Sequence, residues 1–525
     1  MPLELPIPVI DLFAGPGGLG EGFCQVGRRK GTPFFKIALS VEKDPVAHKT
    51  LRLRSFFRQF PYGQVPDEYY DYLRQGKNPY DLFNLEKFKE QKEAAIDETW
   101  QAELGSGEEF DKELDEKIEK KIKGKALWVL IGGPPCQAYS LVGRSRNLGN
   151  KDYVAEADPK HTLYKEYLRI IAKHRPSIFV MENVKGLLSS KYNGAYIFNQ
   201  IEYDLKNPAI NSPQFLKNEQ VHYKIFSLAK MPENFDELGF PVFEQKDFII
   251  KAENYGIPQA RHRVVLLGVR EDLCKKILPD TLNEEDGKIS TKAVIGHLPR
   301  IRSGISRQKS DKHDWKDALE KFPSKDLKNK IIKLAGEEVF QKLEEIISAL
   351  PLPQKDLGGE YIPHDCQLPE GELGKWYGDP KLEGVLNHSS RTHIVADLHR
   401  YLYASCFAKV HRRSPKINEF PDELKPNHKN KDSGNFNDRF RVQIASRPSS
   451  TVTCHISKDG HYYIHFDPSQ CRSLTVREAA RLQTFPDNYF FCGNRTQQYV
   501  QVGNAVPPLL AYKIALVIKD FIRKF

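Results

Sequence analysis

The 525-residue chain holds only eight cysteines, and none of them forms a CxxC pair. That scatter excludes a disulfide scaffold and a zinc ribbon, and it makes each thiol by default a small buried hydrophobe. No apolar run approaches the ~20 residues that a membrane-spanning helix needs. The start, MPLELPIPVID, lacks the basic stretch and cleavage site of a secretory signal. A cytoplasmic protein without a membrane partner is the expectation. Internal repeats and long low-complexity tracts are also missing. What remains is 40% hydrophobic and 28% charged, the composition of a globular protein, and at this length two or three domains with a large core.

The net charge of +10 is unevenly spread. Between Glu86 and Gly124 eight lysines face thirteen acidic residues, a local balance of −5 that leaves +15 on the rest of the chain. The surplus suits a polyanionic partner such as nucleic acid.

Short runs rich in β-branched residues recur at Pro8 to Leu12, Lys36 to Val41, Ala126 to Ile131, Ser177 to Met181 and Val264 to Val269. Helical patterns such as Leu163 to His174 separate them, which predicts an α/β fold with a mostly parallel sheet. The charged stretch from Glu86 interrupts the rhythm. Phe110, Leu114, Ile118 and Ile122 recur there every four residues, the mark of an amphipathic helix, and the segment reads as a solvated helical hairpin inserted into the domain. From about Lys276 the pattern loosens. Basic stretches such as RIRSGISRQKSDKHDWK and KVHRRSPKINEF alternate with short helical patterns, of which Ile394 to Val410 is the clearest. The expected organisation is a catalytic unit over 1–275, a smaller irregular unit over 276–470, and a final segment, 471–525, returning to the first.

Three loops carry the chemistry. The first, DLFAGPGGLGE, sets Gly15-x-Gly17-x-x-Gly20 after the apolar run Pro8-Val9-Ile10, a bare turn between a strand and a helix. Glu42 ends the next strand, where an acid can hold ribose hydroxyls; NAD and S-adenosylmethionine satisfy that pattern equally. The second loop, GGPPCQAYS, comes after the apolar run ALWVLI. Two prolines and flanking glycines hold Cys136 exposed and fixed, as a nucleophile requires. The next strand, SIFVMENV, ends in Glu182-Asn183, and an acid at the end of a buried strand is costly unless it is paired or working. The third element, QARHRVVLLG, places Arg261 and Arg263 two residues apart on one face of an incoming strand.

In this order the elements resemble the 5-methylcytosine DNA methyltransferases of bacterial type, across nearly the whole chain. DLFAGPGGLGEGF is similar to the family's cofactor loop, VEKD to its ribose-binding strand end, GGPPCQAYS to its catalytic loop, MENVKGL to its glutamate motif and QARHRVVLLG to its arginine motif. LTVREAARLQTFPDNY and QVGNAVPP resemble the late motifs beyond the variable recognition region. The resemblance implies a Rossmann-like catalytic domain that uses S-adenosylmethionine and no metal, with an irregular recognition domain that reads double-stranded DNA. It implies Cys136 as the nucleophile, Glu182 on the ring nitrogen and amine of the target cytosine, and Arg263 on its carbonyl oxygen, supported by Arg261. Phe13, Ala14, Gly15, Gly17, Gly18, Leu19 and Glu42 would hold the cofactor. Pro135, Leu163 and the late trio Asn504, Ala505 and Val506 would complete that pocket. Gln137, Ser140, Arg144 and Arg146, in the glycine-punctuated segment after the cysteine, would touch DNA as a closing lid.

The family's adenine-contacting acid after the third strand has no clear counterpart; Asp81 is a weak match. His388 and His393 read as ordinary histidines. A dehydrogenase would leave Cys136, Glu182 and the arginines without a task, and a DNA-binding relative without activity would not need them. A tRNA methyltransferase of similar fold is the nearer alternative, against which the long basic region argues. A monomer serving a restriction-modification or phage-defence system, alongside a nuclease or other defence components, is the expected biological setting.

Overall fold

The computed structural model describes residues 3–135, 160–192, 195–211, 221–274, 277–307, 311–365, 368–426 and 438–524. Its centre is Ile7–Leu12 (β1), six consecutive buried residues, as expected of a strand covered on both faces. Parallel neighbours flank it: Phe35–Glu42 (β2) and then Thr99–Gln101 (β3) on one side, Val129–Gly132 (β4) and Ile178–Val184 (β5) on the other. Beyond β5 the sheet continues with antiparallel strands. Tyr223–Phe226 (β6) and Ile249–Lys251 (β7) both pair with His262–Arg270 (β8), and β8 pairs with β5.

The parallel order 3-2-1-4-5 reverses direction between β1 and β4. Ligands of open α/β sheets bind in the crevice that such a reversal leaves at the carboxyl ends of the strands. The loops after β1 and β4 are the glycine loop and the loop that leads into Cys136, so both start from that edge of the sheet.

Helix Gly18–Gln25 (α1) and the last helix, Pro508–Ile522, cover one face of the sheet and share a core with Val9, Ile37 and Val265. Helices Glu108–Ile122, Lys160–His174 and Ile197–Lys206 cover the other. The expectation for residues 86–124 is therefore corrected. The stretch is no inserted solvated hairpin: it contains β3, a strand of the central sheet, and Leu114 and Ile118 are fully buried in the main core. Asp115 ties its helix to Lys160–His174 through Arg169 at 2.8 Å, Lys173 at 2.7 Å and His174 at 2.7 Å.

The basic region is more regular than its sequence suggests. Helices Lys312–Glu320, Lys325–Ala335, Glu337–Ser348 and Val395–His411 enclose a core of their own around Trp315, Tyr401 and Phe407. The late helices Val476–Leu482 and Arg495–Asn504 share a further core with Val294, Val385 and Val452, and so join this region to the catalytic unit.

Candidate active site

The turn after β1 takes its shape from backbone geometry. Phe13, Gly15 and Gly17 all have positive φ, 57°, 57° and 95°. Glycine adopts such angles freely, whereas an aromatic residue there is strained, the kind of outlier that clusters at ligand sites. The Ala14 amide donates to the Val41 carbonyl at 3.1 Å and the Gly17 amide to the Ala14 carbonyl at 2.9 Å. One carboxylate oxygen of Glu42 accepts from the Gly15 amide at 2.7 Å and the other from the Asp44 amide at 2.8 Å. Burial pushes the Glu42 carboxyl above its ordinary range, opposed by these amide contacts. Glu42 thus clasps the glycine loop itself, and its remaining lone pairs are what a ribose could use.

Helix α1 begins hard against the far end of the chain. A β-carbon on Gly18 would lie 2.3 Å from the Val506 carbonyl oxygen, so any side chain there would push the late loop away. The Tyr489 hydroxyl donates to the Pro16 carbonyl. Val506 and Ala505 are thereby brought to the glycine loop from nearly 500 residues away, and Asn504 ends the helix just before them. Leu19 lies in the same core as Val506. Phe13 and Leu163 are half-buried against the core of the opposite face.

On the other side of the crevice, Glu182 and Arg263 project from antiparallel neighbours β5 and β8, with Arg263 opposite Val184 in the register. The Arg263 Nε lies 2.9 Å from the Glu182 Oε1, and both side chains are nearly buried. Glu182 also overhangs the loop after β4: a β-carbon on Gly133 would sit 3.1 Å from its Oε2. The Asn183 Nδ2 donates to the Pro134 carbonyl at 3.0 Å. The MEN segment therefore holds the Gly133-Pro134-Pro135 stretch that leads into Cys136. Cys136, Gln137, Ser140, Arg144 and Arg146 lie outside the described residues.

The two arginines, expected to share a task, have different surroundings. Arg263 faces Glu182. Arg261 is 2% exposed and donates to the carbonyls of Val452 at 2.7 Å, Ala505 at 2.9 Å and Gly503 at 3.4 Å.

Sequence reasoning missed the acid beyond the third strand, because it missed the strand itself. Glu103 stands just past β3 and pairs with Lys43, next to Glu42, at 2.6 Å. It is the first acid after that strand in the chain, whereas Asp81 is exposed on the short helical turn Pro79–Asn84. The signal was an acid after a β-favouring Thr-Trp pair, hidden in a charged stretch. Asp11 was also overlooked. It is fully buried at the end of β1, and burial pushes its carboxyl up to about 8. His388 and His393 are buried, His388 between the Thr475 hydroxyl and the Pro299 carbonyl. Among the described residues no group of three or more His, Cys, Asp or Glu side chains could hold a metal ion, and no helix is long and apolar enough to cross a membrane.

Comparison with known proteins agrees with this geometry. Residues 80–208 and 211–520 match the family described as C-5 cytosine-specific DNA methylase. The type II methyltransferase M.Bpa9945I of Bacillus paralicheniformis is 32% identical, over 98% of this chain and 99% of its own length. The DNA (cytosine-5-)-methyltransferase M.ApeKI of Aeropyrum pernix is 25% identical over 74% of this chain and 80% of its own. A DNA modification methyltransferase encoded within an E. coli prophage has the same fold, with a TM-score of 0.51 at 17% identity over 98% of this chain and 99% of its own. The chain belongs to the C-5 cytosine-specific DNA methylase family, and its activity is that of a DNA (cytosine-5-)-methyltransferase.

Proposed function

We propose that the protein methylates carbon 5 of a cytosine flipped out of a specific double-stranded DNA sequence, through a covalent adduct with Cys136, and protects the DNA of a bacterial or archaeal cell within a type II restriction-modification or related defence system. The observation that carries this reading is the Glu182–Arg263 pair poised over the Gly133-Pro134 backbone, two residues before the thiol.

Cytosine carbon 5 is a poor nucleophile until the ring is opened to addition. The Cys136 thiolate bonds to carbon 6, and the displaced electron pair makes carbon 5 enamine-like. Glu182 hydrogen-bonds the ring nitrogen and exocyclic amine, and Arg263 the carbonyl oxygen, so that the charge formed on the ring has partners as it develops. Once carbon 5 carries the methyl group, its proton leaves to a base, the carbon–sulfur bond breaks and the thiolate returns. Attack on the ring face is impossible within a stacked duplex, so the base must leave the helix at a cost of a few kcal/mol.

The bare Gly15–Gly18 turn, closed by Val506 on one side and clasped by Glu42 on the other, fits S-adenosylmethionine. When bound, that molecule supplies an electrophilic methyl group. Phe13, Ala14, Leu19 and Leu163 would pack on it, Pro135 would border it, and Glu103 is the candidate for its adenine. The helical basic region over 276–470 would position on phosphates and read base edges.

Expression in cells that lack cytosine methylation, with genome-wide mapping of 5-methylcytosine, tests the reading. A single recurrent duplex motif is expected; no 5-methylcytosine would sink it. Cys136→Ser should abolish methyl transfer while cofactor and DNA affinity stay largely intact, and a duplex with 5-fluorocytosine at the mapped site should become covalently attached. Turnover in the serine variant would end the covalent mechanism.

A further inference from the structure

Arg261 is buried, yet the partners that bind it are all main-chain carbonyls, and they come from two separate parts of the chain. Burying a cation on carbonyls alone is costly, so a neutral side chain would pack there more cheaply. What a neutral side chain cannot do is span three acceptors with one rigid planar fork.

One acceptor, Val452, lies in the basic region over 276–470. Its segment runs parallel to the arginine motif, with Ser449 and Ser450 opposite Gln259 and Ala260, and the Thr451 hydroxyl donates to the Ala260 carbonyl at 2.6 Å. The Val452 amide donates to Gln259 Oε1 at 2.8 Å, so Gln259 and Arg261 hold both polar groups of that residue. The other acceptors are Gly503, in the last turn of the helix Arg495–Asn504, and Ala505 just after it, next to the Val506 whose carbonyl abuts Gly18. Gln483 braces the same helix end, donating to the carbonyls of Val502 at 2.7 Å and Ala505 at 3.2 Å, and it accepts from Gln259 Nε2 at 3.0 Å. The fork thus has one arm on the segment just after the short strand Ser449–Ser450 and another on the turn that carries Val506 to the glycine loop.

We propose that Arg261 is a positioning residue that couples cofactor occupancy to DNA engagement, and that it touches neither the base nor the cofactor. The inference rests on the function proposed above. A group that both sites bias must couple them reciprocally, so occupancy of either site tightens the other.

The test is the dissociation constant of S-adenosylhomocysteine with and without a short duplex carrying the mapped methylation site. For the wild type the duplex should tighten S-adenosylhomocysteine by about fivefold or more. In Arg261→Gln that ratio should fall close to one, with each ligand binding alone nearly as in the wild type. Arg261→Lys keeps the cation but lacks the fork, and should lose most of the coupling; it decides the matter if the glutamine variant does not fold. A folded lysine variant with the wild-type ratio would overturn the proposal. A wild type that methylates the duplex without coupling overturns this proposal alone. One that binds neither ligand overturns the functional reading and this proposal with it.

Discussion

Gly133 shows how narrow the tolerances are at the scale of one residue. Its missing side chain leaves room for the Glu182 carboxylate, and a methyl group would approach the Oε2 to 3.1 Å, tighter than nine in ten real contacts of that kind. The carboxylate would have to give way, and it is already committed to Arg263 at 2.9 Å. Displacements well below 1 Å suffice to slow an oriented reaction. Gly133→Ala should therefore lower kcat about ten- to a hundredfold with little change in melting temperature. Unaltered turnover would show that Glu182 is not held where the chemistry needs it. At this scale much was legible: an acid closing a buried strand has to be paired or working, and Glu182 stood out for that reason. The task of Asn183 did not, because its acceptor, Pro134, lies on a different strand's loop.

At the scale of elements, the stretch from Glu86 to Gly124 is the instructive case. Leu114 is fully buried beneath the sheet, together with Leu39, Trp128 and Tyr167. Leu114→Ala should cost about 2–5 kcal/mol in urea unfolding, as for other large-to-small core changes. A solvated hairpin would lose no more than about 0.5 kcal/mol. The four-residue spacing of Phe110, Leu114, Ile118 and Ile122 revealed the helix, but spacing says nothing about what the apolar face meets. Strand β3 is three residues long, too short to display any alternation, and its charged surroundings resemble a surface. With the strand went Glu103. Strands β1, β2, β4, β5 and β8 were legible because their burial makes them largely apolar runs, whereas β6, no longer than β4, was not read.

Across the whole molecule, buried histidines set the acid limit of stability. Burial pushes His48, His388 and His465 down to about 4, aided by a neighbouring arginine in each case. An unfolded histidine titrates near 6.5, so between about pH 6.5 and 4 the unfolded chain binds more protons than the native one. The stability these groups contribute is complete above about 6.5 and is lost as pH falls toward 4. Unfolding free energy should thus drop between about pH 6.5 and 5.5, a fall that Asp11 partly offsets, because its raised carboxyl binds a proton in the native state but not in the unfolded chain over that window. His388→Gln, measured by urea titration at both values, should lower stability at the upper pH but show a shallower fall to the lower. An equally steep fall in the variant would exclude His388 as a source of the slope.

The sequence by itself determined the chemistry. A cysteine between prolines and glutamine, an acid at a strand end, two arginines on an incoming strand and a bare glycine turn each reflect a local requirement of residue type and backbone, and local requirements are written in neighbouring letters. Only the tertiary structure decided which of these groups meet. The reversal of strand order at β1 and β4 brings the loops after these two strands to one edge of the sheet. The approach of Val506 to Gly18 closes the glycine turn from the opposite end of the chain. The separation of Arg263, on a carboxylate, from Arg261, on three carbonyls, divides two arginines that look alike in the sequence. Each of those outcomes depends on contacts between residues far apart in the chain, which no pattern of neighbours records.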